Sequence, residues 1–282
     1  MTRIRWLLVA AMALTLAAGI AACVSRLPTV PPLGESGAEL PGKVVWHDLV
    51  TPDLARSRAF YGDLFGWSFE SVSNGYTLVR NHGQLVAGMA SLDDKSRASH
   101  WLPLVSVPDV DRAVQLTTER GGRSILAPFE LPSRGRVALV ADPQGAAFGV
   151  VRSSGGDPAD RKPTVGEWIW HEVWTDDVAA SGRFYAELAG YTPKQREVFG
   201  TLYTYLVQGD HPRVGLVRKP DPEIGNTWVT YLRVADVAST AARAEALGGT
   251  LLMEPRADVR NGTAAIVADP DGAGFIIQEW NR

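Results

Sequence analysis

Cysteine is almost absent from this 282-residue chain. Cys23 is the single example, so no intrachain disulfide can form and no thiolate-rich metal site can be assembled. Histidine is scarce as well, at five residues, which restricts imidazole chemistry to a few positions. Basic charge is not in excess: 28 Lys and Arg face 31 Asp and Glu with no basic run, which excludes nucleic acid as a partner. A mean hydropathy of -0.04 excludes a multispanning membrane protein. The 45% apolar and 21% charged content excludes a disordered chain. What remains is a globular chain long enough for two domains of roughly 150 residues.

One apolar run does stand out, and it opens the chain. Arg3 and Arg5 precede 17 mostly apolar residues, Trp6 to Ala22, that end in small side chains before Cys23. This is the composition of an export signal, and it is shorter than the roughly 20 residues that span a bilayer. The end, Ile20-Ala21-Ala22-Cys23, resembles the lipobox of bacterial lipoproteins. That resemblance implies that residues 1–22 are a signal peptide and that lipidated Cys23 is the first mature residue. The body would then be exported and lipid-anchored to the bacterial cell envelope. Val24 stands where an Asp commonly retains Gram-negative lipoproteins in the inner membrane, which points to the periplasmic face of the outer membrane. An uncleaved anchor helix or an ordinary secretory signal are the alternatives. Removal of residues 1–22 leaves 26 bases against 31 acids. More than one acyl chain makes anchoring stable, at about 0.8 kcal/mol per buried methylene. Residues 23–42, rich in Pro, Gly and Ser after the cysteine, read as a flexible tether.

The rest of the chain repeats itself. VVWHDLVTPDLARSRAFYGDLFGW from Val44 aligns with WIWHEVWTDDVAASGRFYAELAGY from Trp168, with identities that include Trp46/Trp170, His47/His171, Asp53/Asp177, Phe60/Phe184, Tyr61/Tyr185 and Gly66/Gly190. VADPQGAAFGVV from Val140 matches VADPDGAGFIIQ from Val267, and GGRSILAP from Gly121 matches GGTLLMEP from Gly248. Each half holds two smaller units with one local grammar. A strand-like run (Val44 to Val50, Trp101 to Val107, Trp168 to Trp174, Trp228 to Val234) leads to an Asp that serves as N-cap of an amphipathic helix. Glycines Gly66, Gly121, Gly190 and Gly248 stop the helices, and three short strands follow. Asp142-Pro143-Gln144-Gly145 and Asp269-Pro270-Asp271-Gly272 are turns joining the last two strands, with a structural role.

Paired β-α-β-β-β units, the AFYGDLFGW helix at Ala59 to Trp67 and DPQGAAFGV at Asp142 to Val150 resemble the vicinal oxygen chelate superfamily, the glyoxalase and bleomycin-resistance group. The resemblance implies an α+β chain of four βαβββ modules paired into two domains with cupped mixed sheets and outer helices. The expected divisions are 43–153 and 166–282, with 154–165 as linker. The superfamily includes lyases, ring-cleaving dioxygenases and drug-binding proteins, so the fold alone does not choose a reaction.

Metal-dependent members take a His about seven residues before the helix-opening Asp and a Glu four residues after the Gly of the D-P-x-G turn. Here those positions hold Trp46, Leu102, Trp170 and Val229, then Gly149 and Ile276. His47 and His171 stand one residue further on and Glu279 lies near the end of the last strand, so a rearranged set of His47, His171 and Glu279 is the metal-binding alternative. A one-residue shift turns a strand side chain to the opposite face unless a bulge restores it. The expected cofactor is therefore none, with divalent Zn, Ni, Mn or Fe as the alternative. The histidines are expected instead to pack under the first helix of each half. Trp46 with Asp48, and Trp170 with Glu172, share the face where the family places its ligands; an aromatic wall beside a carboxylate suits a flat or cationic small molecule. Packing of those tryptophans in the core is the other reading. His82 and His211 at hairpin turns and His100 before a strand are expected to be solvent-exposed, and Asn261-Gly262 to form a turn.

Three functions follow: metal-independent binding of a small molecule in a cup; a metal-dependent glyoxalase-like lyase or dioxygenase; or an envelope interaction module whose cups are filled by their own tryptophans. The lipobox makes a separate prediction, namely that Cys23→Ser moves the protein from the membrane to the soluble fraction on cell fractionation. Persistence in the membrane would favour an uncleaved helix.

Overall fold

The computed structural model describes residues 30–73, 75–198 and 200–280. Cys23 and the apolar run before it lie outside these, and no helix among the described residues is long and apolar enough to cross a membrane. The first module comprises β1 (Val44–Thr51), α1 (Leu54–Phe65), β2 (Ser68–Ser73), β3 (Tyr76–Asn81) and β4 (Gln84–Ser91). The second comprises β5 (His100–Ser106), α2 (Val110–Glu119), β6 (Arg123–Leu131), β7 (Gly135–Ala141) and β8 (Ala147–Ser153). β9 (Trp168–Thr175), α3 (Val178–Ala189), β10 (Thr192–Val198), β11 (Thr201–Gln208) and β12 (His211–Arg218) form the third. The fourth is β13 (Thr227–Val234), α4 (Val237–Ala246), β14 (Thr250–Met253), β15 (Ala264–Ala268) and β16 (Gly274–Glu279).

All four helices start for the same reason. Asp53, Asp109, Asp177 and Asp236 hold extended backbone, and each carboxylate accepts from the N–H three residues on, a cap that contributes about 1 kcal/mol. On α1 the buried side chains are Ser57, Phe60, Tyr61 and Leu64, a stripe of helical period; Ser181, Phe184, Tyr185 and Leu188 repeat it on α3. Gly66 and Gly190, at φ of 71° and 70°, take the left-handed conformation that ends both helices.

Each half forms one eight-stranded mixed sheet, in the orders β2-β3-β4-β1-β5-β8-β7-β6 and β10-β11-β12-β9-β13-β16-β15-β14. The modules join at the centre, where β1 runs antiparallel to β5 and β9 to β13. One face of each curved sheet carries the helices and the other is a cup.

The helices do not pack within their own halves alone. Phe60, Tyr61 and Leu64 of α1 share one apolar core with Val237, Ala241 and Ala244 of α4, while α2 and α3 share a second. A buried polar link locks each pairing. Tyr61 receives the Trp101 indole N–H at 2.8 Å and donates to Asp269 of the opposite half at 3.2 Å. Tyr185 likewise receives from Trp228 at 2.9 Å and donates to Asp142 at 2.8 Å. The D-P-x-G turns thus do more than reverse the chain. Asp142 also accepts from the N–H groups of Gln144 and Ala146, and the Gln144 amide donates to Ser181 at the start of α3.

Residues 30–42 correct the expectation of a free tether. They have no regular secondary structure, yet Gly37 donates to Gly155 O at 2.9 Å, Asp157 to Ala38 O at 2.7 Å, and Leu40 to the Asp157 carboxylate at 2.7 Å. Glycine explains the misreading: a Cβ at Gly155 would lie 2.3 Å from Gly34 O, so here the residue permits close backbone packing rather than looseness.

Removal of the Tyr185 hydroxyl should strand Asp142 and Trp228 together. Tyr185→Phe is expected to lower stability by about 1–3 kcal/mol with an unchanged urea m-value, and Tyr61→Phe to do the same. Urea unfolding followed by circular dichroism checks both.

Candidate functional site

The cups are built around the carboxylates named from the sequence. β1 pairs Asp48 with Gly88 of β4, and β9 pairs Glu172 with Gly215 of β12. Both glycines are required. A Cβ on Gly88 would sit 2.0 Å from the Tyr76 hydroxyl and 2.3 Å from Asp48, and one on Gly215 would sit 2.0 Å from the Tyr203 hydroxyl. The missing side chain opens a slot in which a tyrosine from the neighbouring strand reaches the carboxylate.

In the first cup Asp48 Oδ1 accepts from the Tyr76 hydroxyl at 2.7 Å and from the Trp46 indole at 2.9 Å. The Arg134 guanidinium lies 4.1 Å from the centre of the Trp46 ring, a cation–π contact in a dry setting. Burial raises the Asp48 pKa above the ordinary carboxylate value, and Arg134, Tyr76 and Trp46 oppose that rise. Val45, Trp46, Leu78, Leu104, Val137 and Val151 make the apolar floor.

In the second cup Glu172 is fully buried and accepts four hydrogen bonds. Tyr203 at 2.9 Å and Arg260 at 2.9 Å donate to Oε1; Tyr231 at 2.6 Å and the Trp174 indole at 3.2 Å donate to Oε2. Trp170 donates to the Tyr203 hydroxyl at 2.8 Å, and the Arg260 guanidinium lies 4.9 Å from the Tyr231 ring centre. Burial first, then the Glu172 charge, lifts the Tyr203 and Tyr231 hydroxyls well above their usual range, so both stay protonated donors. Trp170, Tyr203 and Tyr205 line the half-buried wall, and the exposed Arg196 lies 5.4 Å from the Tyr205 ring centre. Arg260 and Asn261 adopt positive φ of 48° and 55°, in the turn expected at Asn261-Gly262.

The sequence reading named Trp46, Asp48, Trp170 and Glu172 but missed their partners Tyr76, Tyr203, Arg134 and Arg260. The repeat contains the signal: Tyr76/Tyr203 and Gly88/Gly215 stand at the same 127-residue offset as the matching turns.

These residues do not fit a metal ion. The positions that supply family ligands carry Trp46, Trp170, Val229 and Ile276, and a Cβ at Gly149 would lie 2.7 Å from Leu104, leaving no room for a carboxylate there. Glu172 spends both oxygens on protein donors, and a carboxylate offers about four lone-pair sites. Among the described residues no three His, Cys, Asp or Glu side chains converge. Glu279 is turned away to accept the Val237 N–H at 2.9 Å, at the start of α4.

His47 and His171 do meet, but each other rather than a ligand site. Strand alternation places them opposite Trp46 and Trp170, on the helix side, where Nε2 faces Nε2 at 2.8 Å across the junction of the halves. His47 also stacks on Trp168 at 4.3 Å, so the pair fills the seam between sheets instead of lying under the first helix of each half. One nitrogen donates and the other accepts, which requires the accepting ring to be neutral. Burial, with mutual repulsion in addition at His47, holds His47 well below the usual imidazole value and His171 at about 3. His82 and His211 are exposed as expected; His100 is half-buried instead, and burial lowers its pKa to about 4.

Two family models match this architecture. Residues 43–150 match the Glyoxalase/Bleomycin resistance protein/Dioxygenase superfamily and residues 170–277 a Glyoxalase-like domain. A "Putative glyoxylase CFP32" of Mycobacterium tuberculosis is 32% identical over 242 residues, 82% of this chain and 92% of that protein. The "Anthracycline biosynthesis protein DnrV" of Streptomyces peucetius is 33% identical over 263 residues, 85% of this chain and 94% of that one. The chain belongs to the glyoxalase/bleomycin resistance/dioxygenase superfamily, as a tandem two-domain member. Among solved structures, the Mn(II)-bound glyoxalase of Novosphingobium aromaticivorans matches with TM-score 0.58 at 14% identity, covering 85% of this chain and 82% of that one. A homoprotocatechuate 2,3-dioxygenase variant of B. fuscum matches at 0.57 and 15%, covering 90% and 75%. At such identities the likeness is one of fold.

The histidine pair makes a prediction about acid. A pKa lowered on folding leaves stability intact above about 6.5 and removes it as pH falls, for His171 from there toward 3 at about 1.4 kcal/mol per pH unit, with His47 acting in the same direction. Asp269, raised to about 6 by burial, acts with the opposite sign: its contribution is present below about 4 and lost as pH rises through 6. Comparison with a His47→Phe/His171→Phe double variant isolates the histidine term. The variant should lose less stability than the parent between pH 6.5 and 4 in urea unfolding, and parallel curves would refute the assignment.

Proposed function

We propose that this protein binds a small, planar, largely apolar molecule without a metal, in the cup of its second half. The observation that carries this reading is the saturation of Glu172: its four donors use the carboxylate to fix Tyr203, Tyr231, Trp174 and Arg260 in place rather than to ligate an ion. Such a carboxylate is a support for a binding surface. Trp170, Tyr203 and Tyr205 offer ring faces for stacking, and Arg260 and Arg196 offer positive charge. The name of the Streptomyces peucetius relative, an anthracycline biosynthesis protein, is in keeping with a flat polycyclic aromatic ligand. The metal-dependent lyase or dioxygenase reading lacks ligands at the family positions.

A membrane-tethered form of this reading rests on the Ile20–Cys23 pattern. Six residues lie between Cys23 and Val30, seven steps along the chain, so lipid on Cys23 would hold the folded body within about 25 Å of the bilayer surface.

Titration with anthraquinone-2-sulfonate, followed by quenching of tryptophan fluorescence, tests the proposal. Binding should survive EDTA, and Trp170→Ala should weaken it tenfold or more. Stoichiometric Zn, Ni, Mn or Fe in the purified protein by elemental analysis, with binding lost in chelator, would overturn it.

A further inference from the structure

The two cups carry the same machinery, but among the described residues the amino-terminal strap reaches only the first. The amino-terminal strap, residues 30–40, crosses the mouth of the first cup. Leu33 packs on the apolar floor formed with Trp46, Leu78, Leu104 and Val137. The Pro31 carbonyl accepts from Arg134 Nη2 at 3.3 Å and Nε at 3.4 Å, and both Val30 and Arg134 are 1% exposed. The strap is tied down behind this contact by the Gly37 and Ala38 backbone bonds, by Leu40 on Asp157, and by an ion pair of Glu39 with Arg152 at 3.0 Å. Asp157 is in turn fixed by the Ser106 hydroxyl at 2.6 Å.

Among the described residues no strap of this kind reaches the second cup; Ile224, from the loop between β12 and β13, is the one residue from outside its strands that packs into its apolar cluster. Every described residue of its apolar cluster comes from between Ile169 and Ile276, its own half. Arg260 keeps 29% of its side chain exposed and pairs with Glu172, whereas Arg134 is buried and turned to the strap. The difference begins in the chain's connectivity. The residues that lead into β9 are the linker from the first half, and they stop at the rim: Pro163 O accepts from Arg233, two residues beyond Tyr231 on β13, and Val165 O accepts from the Asn81 side chain.

We propose that residues 31–33 occupy the ligand position of the first cup, as a plug that imitates a ligand, and leave the second cup as the one that no strap occupies among the described residues. The plug shows what a cup of this chain accepts: an apolar body, Leu33, against the tryptophan-bearing floor, and a carbonyl oxygen on the arginine. By the same chemistry the second cup takes an apolar molecule whose carbonyl or phenolate oxygen reaches Arg260. This second part rests on the binding reading above; the plug itself does not.

The test keeps the two apart. In the full chain with Cys23→Ser, a cysteine is placed on the covered floor by Val137→Cys, or on the floor of the second cup by Ala264→Cys, and its alkylation by iodoacetamide is timed. Leu33→Asp should raise the rate at position 137 at least tenfold and leave that at 264 unchanged; Leu33→Gly, a milder change, should raise the rate at 137 in the same direction. An unchanged rate at 137 in both variants overturns the plug, and a rise at both floors overturns it too, as general loosening. Anthraquinone-2-sulfonate binding to the chain with Cys23→Ser alone should show one site by calorimetry, and two with Leu33→Asp. Two sites before the strap is altered would overturn the plug. No site in either protein, with faster alkylation at 137 alone, would leave the plug standing and overturn the ligand class.

Discussion

Tyr61 and Tyr185 each accept an indole N–H from their own half and donate to an aspartate in the other. Each hydroxyl is buried, so its bonds cannot be exchanged for water without cost, and each aspartate sits in a turn whose backbone it also holds. The arrangement fixes which helices share a core: α1 with α4 and α2 with α3. With the helices committed to the seam between the halves, the opposite face of each sheet is left free to form a cup. The site depends on this crossing even though none of the four residues touches it.

Within the cups the duplicated frame has been put to two uses. Both have a carboxylate on the central strand, a glycine opposite it, a tyrosine through the gap and an arginine from a turn. In one the arginine reaches the chain's own amino-terminal strap; in the other it closes on the carboxylate. The shorter Asp48 and the longer Glu172 match these outcomes, since the extra methylene lets Glu172 span four donors.

Strand positions, helix caps and the four-module order were legible because each is set by neighbours within a few residues: an Asp before an apolar stripe, a glycine after it. Alternation also placed His47 and His171 on the face away from Trp46 and Trp170. Their mutual contact was not legible, because it joins residues 124 apart across a seam that only the assembled halves create. Tyr76 and Tyr203, 28 and 31 residues from their carboxylates, and Arg134 and Arg260, 58 and 88 residues from the groups they bind, were hidden by separations within each half that local pattern does not reach. Residues 30–42 were misread for a different reason: Pro and Gly mark both loose linkers and tightly apposed backbone, and composition cannot distinguish a chain that avoids contact from one that needs close contact.

The shared cores also govern the order in which this chain can be completed during synthesis. The apolar stripe of α1, made early, finds its partner α4 only when the fourth module has emerged, some 180 positions later, as the Arg243 side chain reaching Asp63 O illustrates. The middle modules can close on each other first, with Tyr185 on Asp142. Translation therefore leaves the part of the first helix that faces α4 without its partner while the rest of its stripe can already pack on Leu49, Val79 and Met89 of its own sheet, a window in which a chaperone or a second nascent chain could compete for the uncovered part.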